Sequence, residues 1–154
     1  MRVLVLSKRE FDNLMVDNGI TDENVEKRTG IVLISINDSS REETYFKENH
    51  INVIVMKFDD IEREGEVSPT NKGECKVFDD AMAQELYEFI KRNRDRETCI
   101  VHCEAGISRS GAVGSFVNGY TQGDWERFKR ENSFISPNGR VLRMLNHAKY
   151  NDFE

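Results

Sequence analysis

The chain has 154 residues, of which 38% are hydrophobic and 32% charged, and a net charge of −6. That length suits one domain able to bury roughly two-thirds of the unfolded chain's surface, and the balance of apolar and charged residues excludes a disordered chain. The acidic balance argues against a broad nucleic-acid footprint, which needs Lys and Arg in excess on one face.

No apolar run approaches the ~20 residues of a membrane span. Met1 to Ser7 lacks the longer apolar region and cleavage site of a signal peptide, so it reads as a first strand. The cysteines are Cys75, Cys99 and Cys103. An odd, low count fits a reducing compartment without structural disulfides. A cytoplasmic monomer with no membrane partner is expected.

In chain order, Val3 to Leu6 reads as a short buried strand. Lys8 to Asn18 follows as a helix with Phe11, Leu14 and Met15 on one stripe, ended by Gly19. Gly30 to Ile36 is a β-branched, buried strand. Asp38, Ser39 and Ser40 offer N-caps for a short helix from Arg41 to Glu48. Ile51 to Phe58 is a third strand. Asp59 to Lys76, with Gly65, Pro69 and Gly73, reads as a polar surface loop. Phe78 to Asn93 is an amphipathic helix, in which Asp79 and Asp80 act as capping acids. Thr98 to His102 is a strand, and helices follow over Ser110–Tyr120, Trp125–Glu131 and Arg140–Lys149. Trp125 and Phe128 are expected in the core. Strands alternating with helices predict an α/β fold: a mostly parallel sheet of four to five strands with helices on both faces. Ligands of such sheets bind beyond the carboxyl ends of the strands.

The turn after Thr98–His102 reads His102-Cys103-Glu104-Ala105-Gly106-Ile107-Ser108-Arg109-Ser110. A helix start supplies free N–H groups and a positive dipole end. A tight turn through Gly106 can aim the amides of Glu104, Ala105, Gly106, Ile107 and Ser108 inward, making an anion site. Arg109 adds a two-pronged donor for phosphate oxygens. The same positive field favours the thiolate of Cys103, the nucleophilic form. The Ser110 hydroxyl stands where it can donate to that sulfur. No second Cys or His stands at zinc-finger spacing from Cys103, so no metal is expected there. No cofactor is expected either.

This string resembles the His-Cys-(five residues)-Arg-Ser/Thr signature of the protein tyrosine phosphatase superfamily, in the form found in small dual-specificity phosphatases of bacteria and viruses. The resemblance implies one phosphatase domain over residues 1–154, working on phosphoproteins through a phosphocysteine intermediate. It gives Cys103 the role of nucleophile, Arg109 that of phosphate ligand, and Ser110 that of helper in releasing the sulfur. His102 would order the loop. Ser136-Pro137-Asn138 resembles the stretch that opens the last helix in that subfamily, where the Asn side chain braces the signature loop. Residues 1–29 carry no such likeness.

The resemblance also implies an upstream Asp as general acid. Phe58-Asp59-Asp60-Ile61 matches the F-x-D-I pattern of small bacterial relatives. Strand alternation puts Met56, Phe58 and Asp60 on one face, which favours Asp60, with Asp59 second. Asp60 lies 43 residues before Cys103, a long spacing for the family. Two other readings stand beside a protein phosphatase. The same chemistry on an RNA 5′-triphosphate or a phosphoinositide would ask for basic residues within the loop. A non-catalytic phosphate-binding module would have lost the Cys or the Arg.

Overall fold

The computed structural model describes residues 1–153. Its elements are β1 (Arg2–Ser7), α1 (Lys8–Asp17), a 3₁₀ turn (Val25–Lys27), β2 (Ile31–Asn37), β3 (Val53–Lys57), α2 (Asp80–Arg92), β4 (Thr98–Cys103), α3 (Arg109–Tyr120), α4 (Trp125–Glu131) and α5 (Gly139–Tyr150). The four strands form one sheet in the order β1-β4-β2-β3, parallel at every pairing. β4 is therefore an inner strand, in register with Ser7 at Cys103 and with Ser35 at His102. Its last residue sits at the carboxyl edge of the sheet, between two neighbours that hold it straight.

Alternation along the strands divides the core. Val32, Ile34 and Ile36 of β2, with Cys99, Val101 and Cys103 of β4, pack against Leu86, Phe89 and Ile90 of α2, Val113 and Phe116 of α3, and Leu145 of α5. Leu33 and Ile100 point the other way, onto Phe11 and Met15 of α1 and onto Phe46. Both faces of the sheet are covered, which is why its strands read as nearly continuous apolar runs. No helix among the described residues is long and apolar enough to cross a membrane.

Helix boundaries follow local chemistry. Ser7 caps α1 in a reciprocal box with Glu10, and Gly19 leaves it at φ +63°. Asp79 caps α2 by accepting from the Met82 amide at 2.8 Å. Satisfying such orphan amides stabilises a helix by about 1 kcal/mol per cap.

Four expectations need correction. The helix over Arg41–Glu48 does not form. Its capping candidates are taken elsewhere: Asp38 binds Arg109 and Ser39 binds Asp59. Phe46 is fully buried on the α1 side, and the Lys47 amide donates to Asp22. Tertiary partners thus hold this segment irregular, overriding a weak local propensity. The third strand is Val53–Lys57 rather than Ile51–Phe58, with Ile51 exposed in the turn that precedes it. Trp125 is 44% exposed, so only Phe128 of that pair belongs to the core. The segment from Asp59 to Lys76 lacks helix and strand as expected, yet it is no simple surface loop: Asp59, Ile61, Ser68 and Asn71 are buried within it.

Candidate active site

The fold brings the loop Glu104–Ser108 to the carboxyl edge of β4 and opens α3 at Arg109. Gly106 makes the turn possible. Its φ is +73°, and a Cβ there would stand 2.5 Å from the Ser7 amide nitrogen and 2.6 Å from the Leu6 carbonyl carbon. The loop therefore lies directly on the end of β1. The main-chain N–H groups of Ala105, Gly106, Ile107, Ser108 and Arg109 donate to no protein acceptor among the described residues. A run of unpaired amides at a helix start is a concave donor surface suited to an anion.

Cys103 is 1% exposed, and its Sγ lies 3.0 Å from the Ser110 Oγ. Behind it, His102 Nε2 meets the Ser35 hydroxyl at 2.6 Å, and its Nδ1 lies 3.2 Å from the Cys103 carbonyl. Burial chiefly pushes the His102 pKa down to about 4, with Lys8 and Arg109 adding to the fall. A neutral imidazole held from both nitrogens is a structural prop for β4 and not a proton carrier at the sulfur.

Arg109 is almost wholly buried. Its Nη1 donates to the Phe58 carbonyl at 2.7 Å and pairs with the Asp38 carboxylate at 2.9 Å. Its Nη2 lies 3.4 Å from the Thr70 hydroxyl, which itself donates to Asp38 at 3.0 Å. Its Nε is buried with no partner among the described residues. A buried guanidinium anchored through its terminal nitrogens, with Nε still unsatisfied, retains donor capacity for an oxyanion.

The two acids at the end of β3 have different surroundings. Asp59 is fully buried and accepts from the Ser39 amide and hydroxyl, Asn71 Nδ2 and the Lys76 amide, at 2.5–3.1 Å. Burial alone would raise its pKa; those hydrogen bonds outweigh it and leave it below the ordinary carboxylate range. Asp60 instead touches the loop. Its Oδ1 accepts from the Ser108 hydroxyl at 2.8 Å and from Asn138 Nδ2 at 2.9 Å. It lines a polar cleft of about 320 Å³ together with Val67, Pro69, Ser108 and Pro137. A larger cleft of about 840 Å³ lies along Glu64–Val67 and Gly73–Val77 and contains no residue of the Cys103 loop.

Asn138 braces a different partner from the expected one. Its side chain caps α5 through the Val141 amide and donates to Asp60 and the Ile61 carbonyl. The Glu104–Ser108 loop is held instead by main-chain amides: Ser136 donates to the Ile107 carbonyl and Asn138 to the Ser108 carbonyl. Glu104 turns its side chain outward into a two-point ion pair with Arg41. The roles of Asp38, Thr70 and Arg41 escaped the sequence reading. Asp38 alone carried a signal, since it follows β2 at the same carboxyl edge as Cys103.

One grouping of metal-type side chains occurs among the described residues, Asp22, Glu48 and His50. His50 precedes β3, at the opposite edge of the sheet, and both its ring nitrogens already face carboxylates, Asp22 at 2.7 Å and Glu26 at 3.3 Å.

No protein-family model matches the sequence, and none of the curated proteins compared with it matches either. Among solved structures, the chain is similar to Tk-PTP in its active form, with a TM-score of 0.49 and 15% identity over 99% of this chain and 94% of that one. It is also similar to a human tyrosine phosphatase-like serine/threonine/tyrosine-interacting protein, with a TM-score of 0.41 and 17% identity over 84% and 85% of the two chains. At that distance, only the residues of the site speak to chemistry.

Proposed function

We propose that this protein is a cysteine-dependent phosphatase that hydrolyses phosphomonoesters of proteins. One observation carries the reading: a Cys, a run of unpaired amides and a buried Arg with a free Nε converge on one loop between an inner strand and a helix start. Each is a component of phosphoryl transfer, which asks chiefly for positioning and for charge stabilisation around three equatorial oxygens.

In the first step the Cys103 thiolate attacks phosphorus in line. The sulfur–phosphorus bond forms as the bond to the substrate oxygen breaks. Loop amides and Arg109 hold the non-bridging oxygens. Asp60 gives its proton to the departing oxygen. Oδ1 of Asp60 already accepts from Ser108 and Asn138, so the proton rides on Oδ2. In the second step the same carboxylate takes a proton from water, which attacks the phosphocysteine, and the Ser110 hydroxyl donates to the sulfur as it leaves. Acid catalysis of this kind contributes about 10²–10⁴-fold.

The presence of both Cys103 and Arg109 favours an enzyme over a phosphate-binding module. The loop positions Glu104, Ala105, Ile107 and Ser108 carry no basic side chain, which favours a phosphoprotein over an RNA 5′-triphosphate or a phosphoinositide. The test is turnover of 4-nitrophenyl phosphate and of a phosphotyrosine peptide. Wild type should hydrolyse both, and Cys103→Ser should abolish each. Appreciable activity in that variant would sink the proposal.

A further inference from the structure

Asp59 stands outside the reaction described above, yet three chain segments end on its carboxylate. Ser39 gives it an amide and a hydroxyl, Asn71 its side-chain nitrogen, and Lys76 its main-chain amide. Three residues adjacent in sequence to members of this cluster reach the catalytic groups. Asp38, beside Ser39, pairs with Arg109. Thr70, beside Asn71, contacts both Arg109 and Asp38. Asp60, beside Asp59 itself, contacts the loop through Ser108. The pattern occurs in two donor pairs, Asp38–Ser39 and Thr70–Asn71, whose inner residue bonds Asp59 while the outer one faces the site, and Asp59 is itself followed by Asp60.

We infer that Asp59 is a positioning residue, a buried carboxylate whose hydrogen bonds set Asp38, Asp60 and Thr70 in mutual register around Arg109 and the phosphate loop. The inference rests on the phosphatase reading. A carboxylate suits the task because it is acceptor-only and can take all four donors at once. An amide in its place leaves one oxygen and aims an N–H₂ group at donors. The sheet pairs β2 with β3 up to Asn37 and Lys57, but the Ser68–Lys76 stretch shares no secondary structure with them, so its placement against their ends rests on hydrogen bonds such as those of Asn71 and Lys76 to Asp59. Asp59 acts on the reaction through its neighbours and touches no reacting atom.

The test compares kcat for two esters in wild type, Asp59→Asn and Ser39→Ala. 4-Nitrophenyl phosphate has a good leaving group and needs little help from an acid; phenyl phosphate has a poor one and needs much. A misplaced Asp60 should cost Asp59→Asn at least about tenfold more in kcat on phenyl phosphate than on 4-nitrophenyl phosphate. The limb of its pH profile that reports the protonated acid should flatten. Ser39→Ala removes one donor only, so it keeps the fold testable if Asp59→Asn does not fold; it should show the same leaving-group dependence at a few-fold. Equal losses on both esters, or none, in a folded variant would overturn the positioning role alone. A wild type that hydrolyses neither ester overturns the phosphatase reading, and the inference with it.

Discussion

Gly106→Ala puts a methyl group at a left-handed backbone position pressed against the backbone of β1. Two costs add. The residue sits at φ +73°, where a side chain costs roughly 1–2 kcal/mol. Its Cβ would also lie 2.5 Å from the Ser7 nitrogen, 2.6 Å from the Leu6 carbon and 2.8 Å from the Leu6 oxygen. These are backbone atoms at the end of β1, a strand paired with β4, and the Ser7 amide is further held by the Glu10 carboxylate; they cannot step aside as a flexible side chain can. Relief requires the loop to lift from the strand, which adds about 1–3 kcal/mol of overpacking strain. The total is about 2–5 kcal/mol. Gly65 provides the control. It has φ +86° but nothing within 4 Å of a built Cβ, so Gly65→Ala should cost only roughly 1–2 kcal/mol. Urea unfolding of the two variants separates the terms, since the difference between them isolates the contact with β1. In whatever fraction of Gly106→Ala folds, the amides of Ala105 to Arg109 no longer converge, so phosphate inhibition should weaken together with turnover. A Gly106→Ala protein as stable as Gly65→Ala, with unchanged phosphate affinity, would refute the reasoning about this loop.

Ser110→Ala removes the hydroxyl 3.0 Å from the Cys103 sulfur. Loss of a hydrogen bond to a developing thiolate should slow the second step on the order of tenfold, giving burst kinetics with an aryl phosphate; linear progress at unchanged kcat would contradict the role. His102 predicts a pH dependence of stability. Its pKa falls from 6.5 to about 4 on folding, mainly through burial, so the unfolded chain binds the proton first as pH drops. That contribution is full above pH 6.5 and is lost toward pH 4, amounting to about 2 kcal/mol between pH 7.5 and 5. Urea midpoints of wild type and His102→Gln should therefore converge as pH falls, and a constant gap between them would count against a buried neutral imidazole. The His50 clamp runs the other way. Burial lowers the His50 pKa, but Asp22 and Glu26 outweigh it and raise it overall. Its contribution is present below pH 6.5 and is lost as pH rises through the folded value. His50→Gln should narrow its stability gap to wild type on raising the pH from 6 to 9, and a widening gap would refute the clamp. Asn132 bonds the Val5 amide and donates to the Val3 carbonyl from the end of α4, so Asn132→Ala should cost about 1–3 kcal/mol in chemical denaturation, whereas a loss below measurement would show that β1 holds its edge unaided.

Much of the sheet was legible because its strands are buried on both faces. Val32 to Ile36 has Ser35 as its one polar residue and Cys99 to Val101 has none, too few for a helix surface, and Gly19 and Asp79 mark helix ends by conformational freedom and capping. The Cys103 loop was legible for a related reason: a strand end, a glycine turn, an arginine and a helix start lie within one short stretch. Contacts made across the chain were not. Arg41–Glu48 follows a run of capping residues, but Asp38 and Ser39 serve partners at Arg109 and Asp59, and nothing local announces that. Asp59 and Asp60 are adjacent and chemically identical in sequence. Only their partners separate them: Ser39, Asn71 and Lys76 for one, Ser108 and Asn138 for the other. Asn138 was singled out on a resemblance; its amide does hold the loop, but its side chain turns to Asp60, and that depends on where α5 begins. Trp125 failed because a helical stripe says which face turns inward but not how far a short helix is covered.

The central claim is that phosphate leaves its ester on the sulfur of Cys103. The most direct measurement is acid quenching of the Ser110→Ala protein during turnover of a radiolabelled phosphotyrosine peptide, followed by peptide mapping. The account predicts one phosphoryl group, carried on the peptide containing Cys103 and absent in Cys103→Ser. Turnover with no covalent label, or with label on any other residue, would contradict it.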